Sequence, residues 1–275
     1  MLDFIKKLFS EYKIELVGAV TLGNCHIVRP YKLKDFDTDD FSSLTAIMIA
    51  VPYLTYHEKR NISAYAVSRD YHLFFEQIFD SILSKIKEKY PQNKFISFAD
   101  NSPIDERYAA AACGLGIIGD NGMLITEKYS SYVFLGEIVT DLKIDSKPQP
   151  ITRCYGCGKC RSVCPMGEIG ECLSALTQKK GELTPKEQSY ILKYQTAWGC
   201  DICQEVCPYT LEATKNGTIY TDIDFFRENT TPYLTGEILE QMSDEEFQQR
   251  AYSWRKRETI TRNLKILENN LSDKE

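Results

Sequence analysis

The chain has 275 residues, with 33 Lys and Arg against 39 Asp and Glu, a formal net charge of −6. An apolar share of 43% and a charged share of 26% are ordinary for a globular protein and exclude a disordered or fibrous chain. The length suggests two domains or one with an elaboration. No apolar run approaches the ~18 residues of a membrane helix, and the first residues lack a secretory pattern, so a cytoplasmic protein with no membrane partner is expected.

In chain order, residues 14–20, 45–51, 94–98 and 132–139 are short, rich in β-branched or aromatic side chains, and in places apolar on both faces. That is the pattern of covered strands. Between the second and third, Tyr71, Phe74, Phe75, Ile78, Phe79, Ile82, Leu83 and Ile86 recur at steps of three and four, which marks an amphipathic helix. Residues 1–150 are therefore expected to form an α/β domain with helices over the sheet, within an α+β chain overall.

Asn101-Ser-Pro-Ile-Asp-Glu106 has the grammar of a helix start (cap, proline, first-turn acids), and that helix closes at Gly114. Asp100 then lies at a strand-to-helix junction, where α/β folds commonly meet ligands. From spacing alone it reads first as a residue that caps or solvates the turn. Residues 143–152, with two prolines, read as a linker. Thr184-Pro-Lys-Glu187 is a capping box with a first-turn proline. Ser243-Asp-Glu-Glu246 is a second one, opening a helical tail (216–275) in which Ile260, Leu264, Leu267 and Leu271 share an apolar face. Arg250, Arg255, Lys256, Arg257, Arg262 and Lys265 form the densest basic stretch. It fits either a solvated helix face or a stripe of phosphate contacts.

Eight of the 10 cysteines fall between positions 154 and 207, which in a cytosolic chain reads as metal ligation rather than disulfides. Cys154-x2-Cys157-x2-Cys160-x3-Cys164-Pro165 is the run by which bacterial ferredoxins hold 4Fe–4S clusters. Two-residue spacers place three sulfurs around one face of a cubane, and the fourth cysteine ligates the other cluster. Cys200-x2-Cys203-x3-Cys207-Pro208 is one cysteine short, because Ala197 occupies the regular position; Cys172 is the remaining candidate. One cluster is thus assigned to Cys154, Cys157, Cys160 and Cys207, the other to Cys164, Cys172, Cys200 and Cys203. Residues 151–215 become a ferredoxin-like double-cluster domain. Paired zinc sites are the alternative, but zinc knuckles need neither a third evenly spaced cysteine nor a C-x3-C-P ending. Two adjacent clusters imply one-electron relay to an acceptor in the N-terminal domain. Cys113, after Ala109–Ala112, reads as a buried structural thiol.

Asp100-Asn-Ser-Pro-Ile-Asp-Glu-Arg107, Gly114-Leu-Gly-Ile-Ile-Gly119, Tyr65-Ala-Val-Ser-Arg-Asp-Tyr-His72 and Phe134-Leu-Gly-Glu-Ile-Val-Thr-Asp141 together resemble the tRNA epoxyqueuosine reductase family. So do the cluster segment, with Cys172 and Trp198–Pro208, and Ser253-Trp-Arg-Lys-Arg257 with Arg262-Asn263. The resemblance implies a cobalamin cofactor against the N-terminal domain and reductive removal of the epoxide oxygen of epoxyqueuosine at the tRNA wobble position. It implies Asp100 as proton donor and Tyr71, His72, Arg107 and Asn121 as cobalamin contacts. The implied partners are a tRNA anticodon stem-loop and an external low-potential electron donor.

The chain departs from the family at Gly119-Asp-Asn-Gly122, where Asp120 replaces a usual lysine, and reads as a short form without the HEAT-like repeats. A related corrinoid and iron–sulfur reductase of a small molecule, or a ferredoxin-like electron carrier, are the other functions compatible with these motifs.

Overall fold

A computed structural model describes residues 1–38 and 40–272, with side chains to residue 269. It contains two compact units. The first comprises Met1–Tyr53, Phe74–Gly158 and Pro208–Ile223; the second comprises Leu54–Leu73, Lys159–Cys207 and the described part of Asp224–Glu275. These units do not follow the linear segments 1–150, 151–215 and 216–275. Within the second unit, residues 54–73 are tied to distant sequence: Ser63 N–H donates to Trp198 O at 2.7 Å and Asn61 Nδ2 to Leu234 O at 2.7 Å.

The first unit is built on four strands: β1 (Leu16–Thr21), β2 (Thr45–Pro52), β3 (Phe95–Ala99) and β6 (Val133–Thr140), in the order β1-β2-β6-β3. A small hairpin supplies β4 (Ile117–Ile118) and β5 (Leu124–Ile125). Every neighbouring pair in the large sheet is antiparallel. β2 and β3 therefore run in the same direction, with β6 inserted between them, so the fold is mixed α/β with an antiparallel sheet. Helix α1 (Leu2–Ser10) buries Ile5, Leu8 and Phe9. Helix α2 (Tyr71–Lys89) lays Phe75 across Gly136, where an added Cβ would sit 2.5 Å from the ring. Helix α3 (Glu106–Ala112) packs Ala109–Ala112 against Ala46, Met48 and Ala50 on the opposite face. Both faces are covered, as the doubly apolar strands predict. All eight residues of β2 are buried, and full burial of Ile47 or Ile49 alone contributes roughly 1.5–3 kcal/mol.

Three local expectations are corrected. Helix α3 starts at Glu106, capped by Asp105, whose side chain accepts from Tyr108 N–H; Asn101 is not the cap. The reason is non-local. Val28 N–H and Arg29 N–H both donate to Pro103 O, and Asp105 N–H donates to His26 O, so the backbone of 103–105 is engaged elsewhere. Residues 143–152 are not a loose linker: Gln149 N–H donates to Ala112 O at 2.8 Å and Ile118 N–H to Thr152 O at 2.9 Å.

The Ser243 capping box exists but opens only Asp244–Gln248. The tail helix Lys256–Ser272 is separate. Ile260, Leu264 and Leu267 of that helix are buried in the core of the second unit, with Trp198 and Tyr252. The Leu271 side chain lies outside the described residues. The Thr184 capping box is formed in full. Among the described residues, no helix is long and apolar enough to cross a membrane.

Candidate active site and cysteine centre

In the second unit, Cys164, Cys172, Cys200 and Cys203 crowd one another. Burial, and then the neighbouring Cys164, Cys172 and Cys160, push the Cys203 thiol up to about 11. Burial, with Asp201, Cys172 and Cys203, pushes Cys200 up to about 12. Such thiols stay protonated until a metal displaces the protons.

The loop that presents Cys200 and Cys203 is framed by Asp201, 6% exposed, which accepts from Ser63 Oγ at 2.6 Å, Ala64 N–H at 2.7 Å and Arg60 Nη1 at 3.0 Å. Gly199 has φ +72°, and a Cβ there would meet Ser63 at 2.4 Å. Ala197 is fully buried, with its N–H bonded to Asn61 O. The position of regular ferredoxin spacing is thus a core position, and Cys172, the cysteine expected in its stead, stands at the cap of Leu173–Thr177.

Of the other four, Cys154 and Cys157 belong to the first unit and Cys160 and Cys207 to the second. Cys154 is held by its N–H to Ile118 O at 3.0 Å, and its sulfur accepts from Asp120 N–H at 3.3 Å. Gly156 and Gly158 take φ +69° and +73°, left-handed turns that wrap the chain tightly around its sulfurs. Among the described residues, no three Cys, His, Asp or Glu side chains close in on a single-ion site. A donor set made of thiols alone, with Cys160, Cys164 and Cys172 near Cys203, has the chemistry that suits an iron–sulfur cluster. Outside the set, burial and then Cys25 raise the Cys113 thiol, keeping it protonated.

In the first unit, Asp100 follows β3 with φ +63°, an uncommon conformation for a non-glycine residue, and is exposed. Its backbone N–H faces the Glu106 carboxyl. Arg107 does not pair with Asp100: its Nη1 donates to Gly122 O at 2.9 Å and its Nε lies 3.6 Å from Asp105. Asn121 Oδ1 accepts from Met123 N–H, while its amide nitrogen is buried with no acceptor. A cavity of about 1040 Å³ in this unit is lined by Leu115, Ile117, Ile125, Tyr209 and Ala213 among others. Its volume suits a large organic group, but Asp100, Arg107 and Asn121 are not among its lining residues; the orphaned Asn121 donor is the feature on their side that suits a polar group of a cofactor.

Tyr71 and His72 fall in the second unit, at the start of α2. Their rings stack at 4.1 Å, and His72 Nδ1 lies 2.8 Å from Asp70. Tyr71 stands clear of the apolar face that buries Phe74, Phe75 and Ile78.

One buried acid escaped the sequence reading. Glu137, in the middle of β6, is fully buried and accepts from Ser102 Oγ, and its carboxyl is within hydrogen-bond reach of Glu106. The available signal was one acid inside an apolar strand. The basic stretch resolves the other way. Arg262 Nη1 donates to Lys179 O at 2.6 Å, Arg257 to the carbonyls of Leu239, Met242 and Ser243, and Arg250 to Asn229 O. These guanidinium groups hold backbone, leaving Lys256 and Lys265 exposed.

The fold and these motifs define a mixed α/β protein carrying a centre of eight cysteines. A family model described as "Epoxyqueuosine reductase QueG, DUF1730" matches residues 42–101. The epoxyqueuosine reductase of Gloeobacter violaceus is 34% identical over 197 residues, 68% of this chain and 61% of that protein. That of Synechocystis sp. is 30% identical over 223 residues, 76% of each. The chain belongs to the epoxyqueuosine reductase family. The structure of epoxyqueuosine reductase from Streptococcus thermophilus superposes with TM-score 0.73 at 23% identity, over 98% of this chain and 80% of that one. A second solved structure, of an epoxyqueuosine reductase with an epoxyqueuosine-modified tRNA-Tyr stem loop, gives TM-score 0.73 at 23% identity over 96% and 80%. The chain spans 61% of the Gloeobacter relative's length.

Proposed function

We propose that this chain reduces epoxyqueuosine to queuosine at the wobble position of tRNA. The observation that carries this reading is a complete octet of cysteines in a chain of this family. Cys164, Cys172, Cys200 and Cys203 would hold one 4Fe–4S cluster, and Cys154, Cys157, Cys160 and Cys207 the other. Tyr71, His72, Arg107 and Asn121 are the assigned cobalamin contacts, Asn121 through its orphaned amide nitrogen. When bound, the clusters supply single electrons from an external low-potential donor, and cobalamin supplies a reduced metal centre facing the substrate.

Removing an epoxide oxygen to leave an alkene consumes two electrons and two protons and releases water. The opening ring gathers negative charge on oxygen, and an acid within hydrogen-bond reach lowers that barrier. Asp100 is assigned this role. Asp100 stands exposed at the end of β3, and the cap of α3 is Asp105 five residues later, which accepts from Tyr108 N–H. The helix terminus therefore does not bear directly on the Asp100 carboxyl, as a cap at Asn101 would have made it do.

Anaerobic reconstitution with iron, sulfide and cobalamin, followed by incubation with epoxyqueuosine-containing tRNA and nucleoside mass spectrometry, tests the reading. Queuosine is the expected product. Protein that binds both cofactors yet leaves the epoxide intact overturns it in favour of a small-molecule substrate, and protein that binds no cobalamin points to an electron carrier.

A further inference from the structure

Behind the Asp100 turn lie two carboxyl groups, each with one buried oxygen that receives no hydrogen bond: Glu106 Oε1 and Glu137 Oε2. The remaining partners are fixed. Glu137 Oε1 takes the Ser102 hydroxyl, and Ser102 Oγ in turn accepts from Ile104 N–H at 3.1 Å. The Glu106 carboxyl faces the backbone N–H of Asp100. The two side chains come within hydrogen-bond reach of each other. Two bare carboxylates at that distance inside a protein repel strongly, and a single proton between them removes both the repulsion and the unmet oxygens.

The groups facing the pair are few. Cys25 and Lys32 approach from the segment before β2, Asp100 from the end of β3, and Ser102 from the turn; β2 presents only Met48 opposite Glu137. Among the described residues Lys32 bears on Glu137 but stands apart, with its Nζ 5.7 Å over the Phe98 ring, and Arg29 reaches the same turn through its Nη1, which donates to Ser102 O at 2.9 Å.

We propose that Glu106 and Glu137 share one proton as a buried acid pair, and that the pair positions Asp100 by gripping its backbone N–H. The assignment of Asp100 as proton donor rests on the function proposed above; the shared proton does not. Both carboxyls are pushed above the ordinary glutamate range, Glu106 by burial and then by Glu137 and Asp100, and Glu137 by burial. While the proton stays, Glu106 remains in place and the left-handed turn at Asp100 is held. Once it leaves, two charges share one buried site, Glu106 swings away, and the turn loses its tie. Glu106 and Glu137 are positioning residues, since neither is asked to touch substrate.

The test compares the full-length protein with its Glu106→Gln, Glu137→Gln and Glu106→Leu variants. Infrared spectroscopy at pH 7 should show a protonated-carboxyl stretch in the unmodified protein that is lost in both glutamine variants, because an amide satisfies the surviving carboxylate without the proton. Amide hydrogen exchange at Asp100 should be at least ~10-fold faster in Glu106→Leu and close to the unmodified rate in Glu106→Gln. Absence of the stretch, or its persistence in both glutamine variants, overturns the shared proton. Equal exchange at Asp100 in all proteins overturns the positioning role. With active holoenzyme, Glu137→Gln should also move the alkaline fall in turnover upward by about one pH unit or more. An unchanged alkaline limb counts against the pair. If no protein turns over while stretch and exchange behave as stated, the proposed function fails and the acid pair stands.

Discussion

Asp201 accepts a hydrogen bond from Ser63 Oγ at 2.6 Å, joining the loop of Cys200 and Cys203 to a segment more than a hundred residues earlier. The same carboxylate receives Arg60, whose side chain is only 18% exposed. Replacing Asp201 with alanine leaves Arg60 only its pair with Glu205 and strips the Ser63 hydroxyl, Ala64 N–H and Gln204 amide of their acceptor, at a cost of about 3 kcal/mol. Urea unfolding should show the loss, and iron content after reconstitution should fall with it.

The ligand set makes a sharper statement. Cys172→Ser should cut iron to about half, since one cluster keeps all its thiolates. Adding Ala197→Cys should not restore the lost iron, because Ala197 is fully buried in the core of its unit. Iron and sulfide assays on the single and double variants decide this. Cys25→Ala and Cys113→Ala should keep full iron.

Asp100→Asn should bind both cofactors normally and lose turnover by roughly 10²–10⁴-fold, the usual contribution of a general acid. Single-turnover kinetics provides the measure. Unaltered kinetics would remove Asp100 from proton donation.

Asn263 is fully buried and donates to Thr177 O at 2.7 Å and Ala197 O at 2.8 Å. Asn263→Ala leaves Ala197 O without this donor and Thr177 O with only the 3.4 Å bond from Arg262 Nη2, and should cost about 2–4 kcal/mol. Arg262→Ala should likewise lower the unfolding midpoint. It should leave the salt dependence of tRNA binding unchanged, since Arg262 holds backbone carbonyls rather than phosphate.

Stability should also carry the signature of Glu137. Burial raises the pair's hold on its proton, so above the ordinary glutamate range the folded protein keeps a proton that the unfolded chain has released. Stability must then fall as pH rises above that range, by up to about 1.4 kcal/mol per pH unit for one proton. Glu137→Gln should flatten the slope in denaturation curves taken across the range.

The four long strands, the Phe-rich helix and both capping boxes were legible because each is written in neighbouring residues: a period, a cap, an acid three positions on. The start of α3 was misplaced because residues 26–29 claim the backbone of 103–105, which no local pattern records. The roles of Arg257 and Arg262 were equally hidden. A cation aimed at carbonyls more than a dozen residues away in sequence looks, in one dimension, like a cation aimed at phosphate. Glu137 was passed over because strand periodicity reports apolar residues and says nothing of what one acid within them will meet. Ala197 was noticed as a missing ligand, and the structure supplies its physical reason, a place in the core.

The first unit closes only with residues 208–223: Thr210 Oγ1 bonds Ser130 Oγ at 2.7 Å, and Thr218 Oγ1 donates to Lys128 O at 3.0 Å. During synthesis, then, the sheet made early must wait on the ribosome for its last piece, which arrives only after every cysteine has left the exit tunnel. A gene cut near codon 150 would yield two halves, neither able to finish its own body, and the two would rebuild it only by finding each other.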